Sequence, residues 1–564
     1  MSAFKTDRIF YPLLLFALMI RLPGIWDGLP AVYNSTEYFL AKMALNFGAR
    51  ETLDPGYYIY PTFYTYFLFI QYGIYFIFQY VINPHTTAYS FAIQFLTDPS
   101  GFYLLSRSVN VFVALATICV FWYGLRKYCS EKVAFYSTLM MILSSYMVTF
   151  STYATADILM VFFSSLTIIY FYRLLREPTP LIFFLSGLFA GLATAAKYNA
   201  GFLFFGVLGT IYFAKRQQDV NWIRSLFSAI SGLLLGFIIP NPLWLIYPQR
   251  FYDGLKMVSA QMFSAVSAEH GLPYLWEATT LLSDELIIGL IFLVAMIYYF
   301  LNYDNKHAAT ITVLLLTFLY VGSWNKKGID YLFAVYPAWM ILAGYFLSTV
   351  IEPRIPWKYK KEIIIILVFL PSALGVCYAD FLYLRDDTRE QATNWIIDNL
   401  EKEAVLCYDN SHYDLGVYDP DRFLVYGEGA SRLPAQIKEG LADYRGDERQ
   451  VHFTPILVTN PSCTLKTGNP YETQVTQFRR RRLSELIRLK VDYLITNRRF
   501  YERYLSAQRS DYPPGIQIGI LEVQAFYQQI HSTAVPVITF KADFCTPGPE
   551  IRIYNLQQMG IRPE

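Results

Sequence analysis

Long apolar runs constrain this sequence more than any other feature. They recur over the first 384 residues, and each is roughly 17 to 25 residues long, which is the length of helix that crosses a bilayer. A composition of 54% hydrophobic, 18% aromatic and 16% charged residues is too apolar for a soluble core in a chain of 564 residues. The sequence therefore predicts a mainly α-helical, polytopic membrane protein.

Eleven of these runs are predicted to cross the membrane. The first, IFYPLLLFALMIRLPGIW, has no small-residue cleavage site behind it, so we interpret it as a retained helix and not as a removed signal. The others lie at about residues 103–127, 132–149, 155–173, 179–196, 199–214, 223–246, 283–302, 308–323, 330–351 and 361–384.

Charge decides whether a further run, Pro61–Ile82, also crosses. Lys and Arg collect in cytoplasmic loops. The short loops that carry them here hold Lys5 and Arg8; Arg126, Lys127 and Lys132; Arg173 and Arg176; Lys215, Arg216 and Arg224; Lys306; and Arg354, Lys358, Lys360 and Lys361. All of these loops can face the cytoplasm only if the chain crosses the membrane outward once after Arg8 and crosses back once before Arg126, through residues 103–127. Pro61–Ile82, rich in Tyr and Phe, is therefore predicted to be a juxtamembrane or re-entrant helix within an outer loop spanning residues 22–102. The alternative is an ordinary twelfth span that breaks the charge rule.

The tail, residues 385–564, is polar and predicts a separate α/β domain. Short β-like runs, AVLCYD, HFTPILVT, DYLIT, VPVITF and EIRIYNL, alternate with the helical patterns SRLPAQIKEGLADY and QFRRRRLSELIRLK. By the crossing count this domain is extracytoplasmic, and residues 1–384 form the transmembrane domain. The tail has no Gly-rich phosphate loop, catalytic triad or metal-ligand spacing, which favours acceptor binding, capping or docking of a protein partner. No basic–aromatic pattern indicates nucleic-acid binding.

Several ionisable residues lie on the predicted outer side, near the spans. They are Glu37 in the first outer loop, and Asp157, Lys197, Lys326 and Lys327 at span ends. Such groups cost a few kcal/mol near the bilayer centre and therefore usually line a wet cavity or a substrate path. Alternatives remain open for each type, because Asp157 could cap a helix and the lysines could extend to the lipid headgroups.

An ordered series of motifs carries a resemblance to a known family. The motifs are an acid after the first span, TYATADILMVFF, LSGLFAGLATAAKYNAGFLF, NPLWLIYPQRF and KKGIDYLFAVYPAWMILAGY. Over about residues 9 to 400 the chain resembles the GT-C membrane glycosyltransferases, specifically bacterial relatives of protein O-mannosyltransferases and of the lipid A aminoarabinose transferase. The resemblance implies a transferase in the plasma (inner) membrane of a bacterium. It would move a sugar from a polyprenyl-phosphate donor to a lipid, glycan or protein acceptor on the outer face.

Such a reaction needs a carboxylate to take the acceptor proton and cations to stabilise the leaving phosphate. With the resemblance, this predicts Glu37 and Asp157 as the acidic centre and Lys197, Lys326 and Lys327 around the donor phosphate. Tyr60 and His270 are the predicted acceptor or substrate-binding residues, although a loop histidine is more often simply solvated. No cofactor is certain, and a divalent metal near His270 is one possibility.

Two positions depart from the family pattern. Thr36 stands where relatives carry an Asp base, and a threonine cannot act as a base near neutral pH. Asp330 stands where an Arg often precedes Tyr331, and an acid there repels a lipid phosphate unless Lys326 or Lys327 pairs with it. These departures leave a second hypothesis open, a catalytically degenerate subunit with a structural or assembly role in a membrane complex. A transporter is disfavoured because no repeated half is present.

Overall fold

The structure is a computed structural model that describes residues 2–49, 51–56, 58–217, 220–264, 272–401, 404–408, 454–457, 459–464, 476–480, 483–488, 490–506 and 514–557. Its first part is helical. The helices are α1 (Ser2–Met19), α2 (Ser35–Ala49), α3 (Phe63–Ile82), α4 (Ala88–Thr97), α5 (Ser100–Tyr128), α6 (Glu131–Leu143), α7 (Ser145–Ser151), α8 (Asp157–Leu174), α9 (Pro180–Ala196), α10 (Leu203–Gln217), α11 (Trp222–Ile238), α12 (Leu243–Ile246), α13 (Pro248–Ser264), α14 (Leu275–Asp284), α15 (Leu286–Leu301), α16 (Ala308–Gly322), α17 (Tyr336–Tyr345), α18 (Lys360–Ile364), α19 (Leu370–Tyr383) and α20 (Thr388–Asn399).

Each predicted span coincides with helix in the structure. Within the described residues, six helical segments are long and apolar enough to cross a membrane, and a seventh if α6 and α7, bent by 56°, form one span. Four shorter apolar helices, α9, α11, α15 and α16, accompany them. The protein is therefore an integral membrane protein, while the count of eleven crossings stays a prediction.

Polar residues at the loop ends determine where several of these helices begin. The side chains of Ser130, Thr179 and Asn221 accept hydrogen bonds from backbone N–H groups in the first turns of α6, α9 and α11. Pro180 follows directly at the first position of α9, where its missing N–H costs nothing. These caps end the loops and start the helices at fixed residues.

Helices α9 and α11 pack at backbone contact through glycines. The glycines on the facing surfaces are Gly187, Gly191, Gly232 and Gly236. A Cβ at Gly187 would lie 2.0 Å from the carbonyl oxygen of Ala229, and a Cβ at Gly232 would lie 2.0 Å from that of Phe184. Any larger side chain would force the helices apart, so the small-residue stripe fixes α9, the helix that ends just before Lys197.

Basic loops meet at one end of the bundle. The Lys132 ammonium lies 2.6 Å from a Glu352 carboxylate oxygen, and Arg176 donates a hydrogen bond of 3.0 Å to the carbonyl of Lys127. These contacts bring together three loops that the charge pattern predicted on one side of the membrane. The arrangement agrees with the topology on which that prediction rests.

Helix α3 lies beside the opposite end of the bundle. Asn110 of α5 donates to the hydroxyl of Tyr64 at 3.0 Å, and Ser106 donates to the hydroxyl of Tyr72 at 3.3 Å. The helix thus runs antiparallel to the first part of α5, away from the basic loops. Its exposed apolar side chains include Ile74, Ile77, Phe78, Val81 and Ile82. Whether α3 lies at the membrane surface stays a prediction.

The tail contains a small mixed sheet. Its strands are β1 (Val405–Tyr408), β2 (Thr454–Leu457), β5 (Tyr493–Asn497), β6 (Ile538–Phe540) and β7 (Ile551–Asn555), in the order β2-β1-β5-β7-β6. β1 is parallel to β2 and β5, and β7 is antiparallel to β5 and β6. A separate antiparallel pair joins β3 (Thr459–Thr464) to β4 (Thr476–Arg480). Besides α20, the described helices of the tail are α21 (Leu483–Arg488), α22 (Arg498–Leu505) and α23 (Pro514–Thr533). The five strand patterns read from the sequence are confirmed.

One tail prediction is wrong over part of its length. The pattern QFRRRRLSELIRLK was predicted to be helical, but its first four residues, Gln477–Arg480, belong to β4. Pairing with β3 decides this segment, because a partner strand can override the helical pattern of a short stretch. Residues Leu483–Arg488 are helical as predicted. The other helical pattern, residues 431–444, lies outside the described residues.

Candidate active site

Three charged side chains meet at the end of the bundle opposite the basic loops. Asp157 is the first residue of α8, Lys197 follows the last residue of α9, and Asp330 lies in a 3₁₀ segment, Ile329–Val335, that leads into α17. The Lys197 ammonium lies 2.7 Å from Asp157 Oδ1 and 2.7 Å from Asp330 Oδ2. We call these three residues the Lys197 cluster.

The Lys197 cluster is only partly sealed from solvent. The exposed fractions of the side chains are 7% for Asp157, 12% for Lys197 and 27% for Asp330. Burial by itself would lower the pKa of the Lys197 ammonium, but the two carboxylates outweigh it and hold the pKa above its usual value. Lys197 is therefore a fixed positive charge with an approach from the Asp330 side.

Tyr331 links the cluster to a second lysine. The Lys197 ammonium lies 5.3 Å from the centre of the Tyr331 ring, and the Lys326 ammonium lies 5.8 Å from the same ring. Asn199 donates a hydrogen bond of 2.7 Å to the carbonyl of Tyr331 and fixes this turn. Two of the lysines predicted to bind phosphate thus share one aromatic neighbour.

Tyr60 and Thr36 border the Lys197 cluster from the first outer loop. The Thr36 side chain lies close to the Tyr60 phenol, and the charges of Lys197, Asp157 and Asp330 act on that phenol. Burial raises the pKa of the Tyr60 phenol, an effect that the Lys197 ammonium opposes. The residue that replaces the family's Asp base, Thr36, therefore lies on the same side of α2 as the cluster.

Glu37, the next residue, points elsewhere. Arg107 donates to both Glu37 carboxylate oxygens, at 2.9 and 2.8 Å, and the Ala154 backbone N–H donates to Oε1 at 2.5 Å. The remaining Arg107 nitrogen donates to the carbonyls of Ile25 and Asp27, at 2.9 and 2.8 Å. With 0% and 1% of their side chains exposed, Glu37 and Arg107 form a closed ion pair that has no free oxygen directed at the cluster.

Arg107 is not among the site residues predicted from the sequence, although a signal was available. An arginine within a predicted span, 103–127, is by default a functional or structural site with a buried partner. Lys326 and Lys327 were considered as possible partners of Asp330, whereas in the structure Lys197 is its partner. Neither the Arg107–Glu37 pair nor the Lys197–Asp330 pair can be recognised from the local sequence, because the partners are far apart along the chain.

Lys327 is buried in an ion pair of its own. Its ammonium lies 2.9 Å from a Glu277 carboxylate oxygen and donates to the carbonyl of Gly322 at 3.1 Å. The exposed fractions are 2% for Lys327 and 1% for Glu277. The structure thus separates two neighbouring lysines, Lys326 beside the Lys197 cluster and Lys327 in the packed interior.

The metal possibility near His270 receives no support from the part of the chain that the structure covers. His270 itself lies outside the described residues. Among the described ranges, no group of three or more His, Cys, Asp or Glu side chains could hold a metal ion.

The arrangement of the Lys197 cluster has a definite chemical capacity. It offers two carboxylates that can accept a proton and one ammonium group, and the neighbouring Lys326 supplies a second ammonium that can face an anion. Residues 68–246 match the family model described as "Dolichyl-phosphate-mannose-protein mannosyltransferase". The match covers less than half of the chain and includes Asp157 and Lys197. The predicted resemblance to the GT-C glycosyltransferases is confirmed. It relates this chain to proteins of membrane glycosyl transfer.

Solved structures give weaker likenesses. ArnT from Cupriavidus metallidurans bound to undecaprenyl phosphate is 10% identical, with 98% of this chain and 99% of that chain covered and a TM-score of 0.48. The apo oligosaccharyltransferase of Archaeoglobus fulgidus is 10% identical, with 88% and 71% covered and a TM-score of 0.49. At this level neither alignment decides the chemistry of this chain. No curated protein matches it.

Proposed function

We propose that this protein transfers a sugar from a polyprenyl-phosphate donor to an acceptor hydroxyl on the extracytoplasmic face of a bacterial plasma membrane. The observation that carries the proposal is the Lys197 cluster, in which a partly buried, charged lysine stands between two carboxylates at a helix end. The match over residues 68–246 supports the reaction class.

The basic loops at the other end support the orientation. Positive loops stay in the cytoplasm, so the end of the bundle that carries Lys197 would face outward. The tail follows α19 at that end. Tyr378 of α19 donates a hydrogen bond of 2.9 Å to the carbonyl of Phe544 in the tail, which supports an extracytoplasmic tail domain.

In the proposed reaction the acceptor oxygen forms a bond to the anomeric carbon as the bond from that carbon to the phosphate oxygen breaks. The acceptor proton passes to a carboxylate of the cluster, and the lipid phosphate leaves with its charge stabilised by Lys197 and Lys326. The Lys197 ammonium has three N–H donors and the two carboxylates use two of them, so the third can bind the phosphate.

Asp330 is the proposed base and Asp157 the proposed anchor. Asp330 is the more exposed of the two, at 27% against 7%, and can therefore reach an acceptor. Asp157 stands at the start of α8 and holds Lys197 in place from the interior. We assign Glu37 a positioning role, since its closed pair with Arg107 leaves no oxygen to accept a proton. Tyr60 is proposed to contact the substrate.

The proposal is tested by donor consumption. Purified protein is incubated with a panel of radiolabelled polyprenyl-phosphate hexoses and pentoses, and sugar release is measured. Asp330→Asn and Lys197→Gln are expected to lower the rate roughly 10²- to 10⁴-fold, the usual contribution of a general base or a charge stabiliser. Glu177→Gln, an exposed i,i+4 partner of Arg173 at the other end of the bundle, is the control and is expected to match the parent.

The non-enzymatic hypothesis keeps one specific observation in its favour. Lys197 is already neutralised by two carboxylates, and the base position of the family is Thr36. A scaffold subunit predicts that the parent consumes no donor of the panel and that Lys197→Gln affects only assembly of its complex. Equal rates for the parent, Asp330→Asn and Lys197→Gln would contradict the transferase.

A further inference from the structure

The tail domain has a cavity of its own where it meets the membrane part. Its volume is about 530 Å³. It lies between the start of α20, the start of α22 and the segment that connects β6 to β7. The lining residues used below are Arg389, Arg498, Arg499, Glu502, Lys541 and Glu550.

Positive charge dominates the lining of this cavity. Four lining residues are cations and two are carboxylates. Both carboxylates are already engaged: Glu502 is bound by Arg498 through two bonds of 3.0 Å, and Glu550 lies 2.6 Å from Arg552, which is not a lining residue. Glu550 also accepts a hydrogen bond of 2.9 Å from Tyr501. The cavity therefore presents more positive charge than its own acids neutralise.

Arg499 supplies guanidinium donors that no group of the described residues uses. Its guanidinium makes no ion pair with a residue in the described ranges, and its side chain is exposed at the cavity. The planar guanidinium presents paired N–H donors that match the oxygens of phosphate or carboxylate. The Lys541 side chain, 68% exposed and 3.8 Å from Glu550, stands at the rim as a second cation.

Hydrogen bonds and close packing fix the cavity wall at the start of α20. Thr388 donates a hydrogen bond of 2.6 Å to the carbonyl of Pro549. Gly548 has a φ of +109°, and a Cβ there would lie 2.2 Å from the Thr388 hydroxyl, so only glycine fits. Arg389 is held by two bonds to Asp387, at 2.7 and 2.8 Å. Its position is therefore set before any ligand arrives.

The cavity is connected to the first outer loop. The guanidinium carbon of Arg389 lies 3.4 Å from the centre of the Tyr33 ring. Tyr33 precedes Thr36, which contacts Tyr60 beside the Lys197 cluster. Arg389 thus stands between the cavity and the loop that borders the proposed reaction site.

We propose that this cavity binds a phosphate-bearing group, and that the acceptor of the transferase carries that group. The ligand is an anionic phosphorylated headgroup or a soluble phosphorylated glycan, recognised by Arg499, Arg498 and Lys541. The second part rests on the proposed function, whereas binding of phosphate to the cavity does not. A phosphorylated acceptor held here would present its free hydroxyl toward the first outer loop.

Binding to the full-length protein tests the site without any need for turnover. Glucose 1-phosphate is titrated into the detergent-solubilised protein by calorimetry. The Arg498→Gln/Arg499→Gln variant is expected to weaken binding about tenfold or more, since it removes charge-assisted hydrogen bonds. Arg499→Lys keeps the charge but loses the paired donors, so it should lie between the two. Lys490→Gln, an exposed tail cation outside the cavity, is the matched control and should bind as the parent does.

A second arm separates the two sources of phosphate. The same proteins are placed in phosphatidylcholine nanodiscs with or without phosphatidate. Competition by phosphatidate against glucose 1-phosphate assigns the site to a lipid headgroup, and its absence assigns it to a soluble glycan. Parental binding by the double variant, an equal loss in Lys490→Gln, or no binding of either probe would overturn the proposal. If the parent binds phosphate but consumes no polyprenyl-phosphate donor, the result would count against the transferase alone.

Discussion

Two ionic groups stand at the same end of the helix bundle and differ in almost every other respect. The Glu37–Arg107 pair is closed, with at most 1% of either side chain exposed. The Lys197 cluster has one lysine for two carboxylates, one of them 27% exposed. The comparison teaches that charge near a membrane interface is not enough to identify a reactive site. A site that can do chemistry also needs a side chain that solvent or substrate can reach, and charged groups that are not matched one to one.

The hydrogen bonds of the Glu37–Arg107 pair account for its burial. Arg107 joins α5 to α2, to the turn at Ile25 and Asp27, and through Glu37 to the Ala154 backbone. Every bond offsets part of the cost of desolvating the two charges. The pair therefore positions the first outer loop, on which Thr36 and Tyr60 stand, beside the Lys197 cluster.

The largest expected effect comes from breaking the closed pair. Arg107→Met leaves the Glu37 carboxylate buried without its partner, which costs toward the upper end of the ~3–5 kcal/mol typical of such losses. Thermal unfolding in detergent should show a large drop in Tm, and Glu37→Gln combined with Arg107→Met should recover part of it. A single Arg107→Met protein as stable as the parent would show that the pair has no structural role.

The neighbouring residues Lys326 and Lys327 give a second comparison between an accessible charge and a buried one. Lys327→Met strands the buried Glu277, and we expect a loss of stability near the lower end of the ~3–5 kcal/mol range. Lys326→Gln changes a side chain beside the cluster, so it should leave Tm unchanged and lower donor consumption roughly tenfold or more. The reverse pattern, with Lys326 needed for stability and Lys327 for turnover, would reject this division of roles.

The smallest effect concerns the edge of the closed pair and depends on pH. Burial raises the pKa of Asp27 from 3.8 to about 6, against the opposing influence of Arg107 and Arg389. The folded state then binds the proton more tightly than the unfolded state, so the stability from this group is present below about pH 4 and is lost as the pH rises through about 6. The loss is at most about 3 kcal/mol.

Asp27→Asn removes that pH-dependent loss. The difference in Tm between Asp27→Asn and the parent should therefore grow in favour of the variant between about pH 4 and pH 7. Unfolding curves of both proteins across this range measure it. A difference that stays constant with pH would mean that Asp27 has an ordinary pKa in the folded protein.

The sequence predicted those features that depend on local composition. Run length marked helices such as α5 and α8, and the lysines and arginines of loops such as 126–132 marked one end of the bundle, because hydrocarbon thickness and charge bias act on each segment separately. The residues of the Lys197 cluster were singled out individually, Asp157 and Lys197 as site residues and Asp330 as a departure.

The partners could not be predicted, since they are chosen by packing. Glu37 was predicted to be catalytic because it follows the family's base position, yet a one-residue step on α2 turns its side chain from Tyr60 toward Arg107. Lys197 and Asp330 come together only when α9 and the segment before α17 are packed side by side. The arginines at Arg479 and Arg480 lie in a strand because β3 pairs with them.

The most direct test compares the two ionic groups in one assay. Donor consumption is measured for Asp330→Asn and for Glu37→Gln and is divided by the folded fraction of each protein. The account predicts a loss of 100-fold or more for Asp330→Asn and less than about tenfold for Glu37→Gln. Full turnover by folded Asp330→Asn, together with an inactive but folded Glu37→Gln, would contradict it.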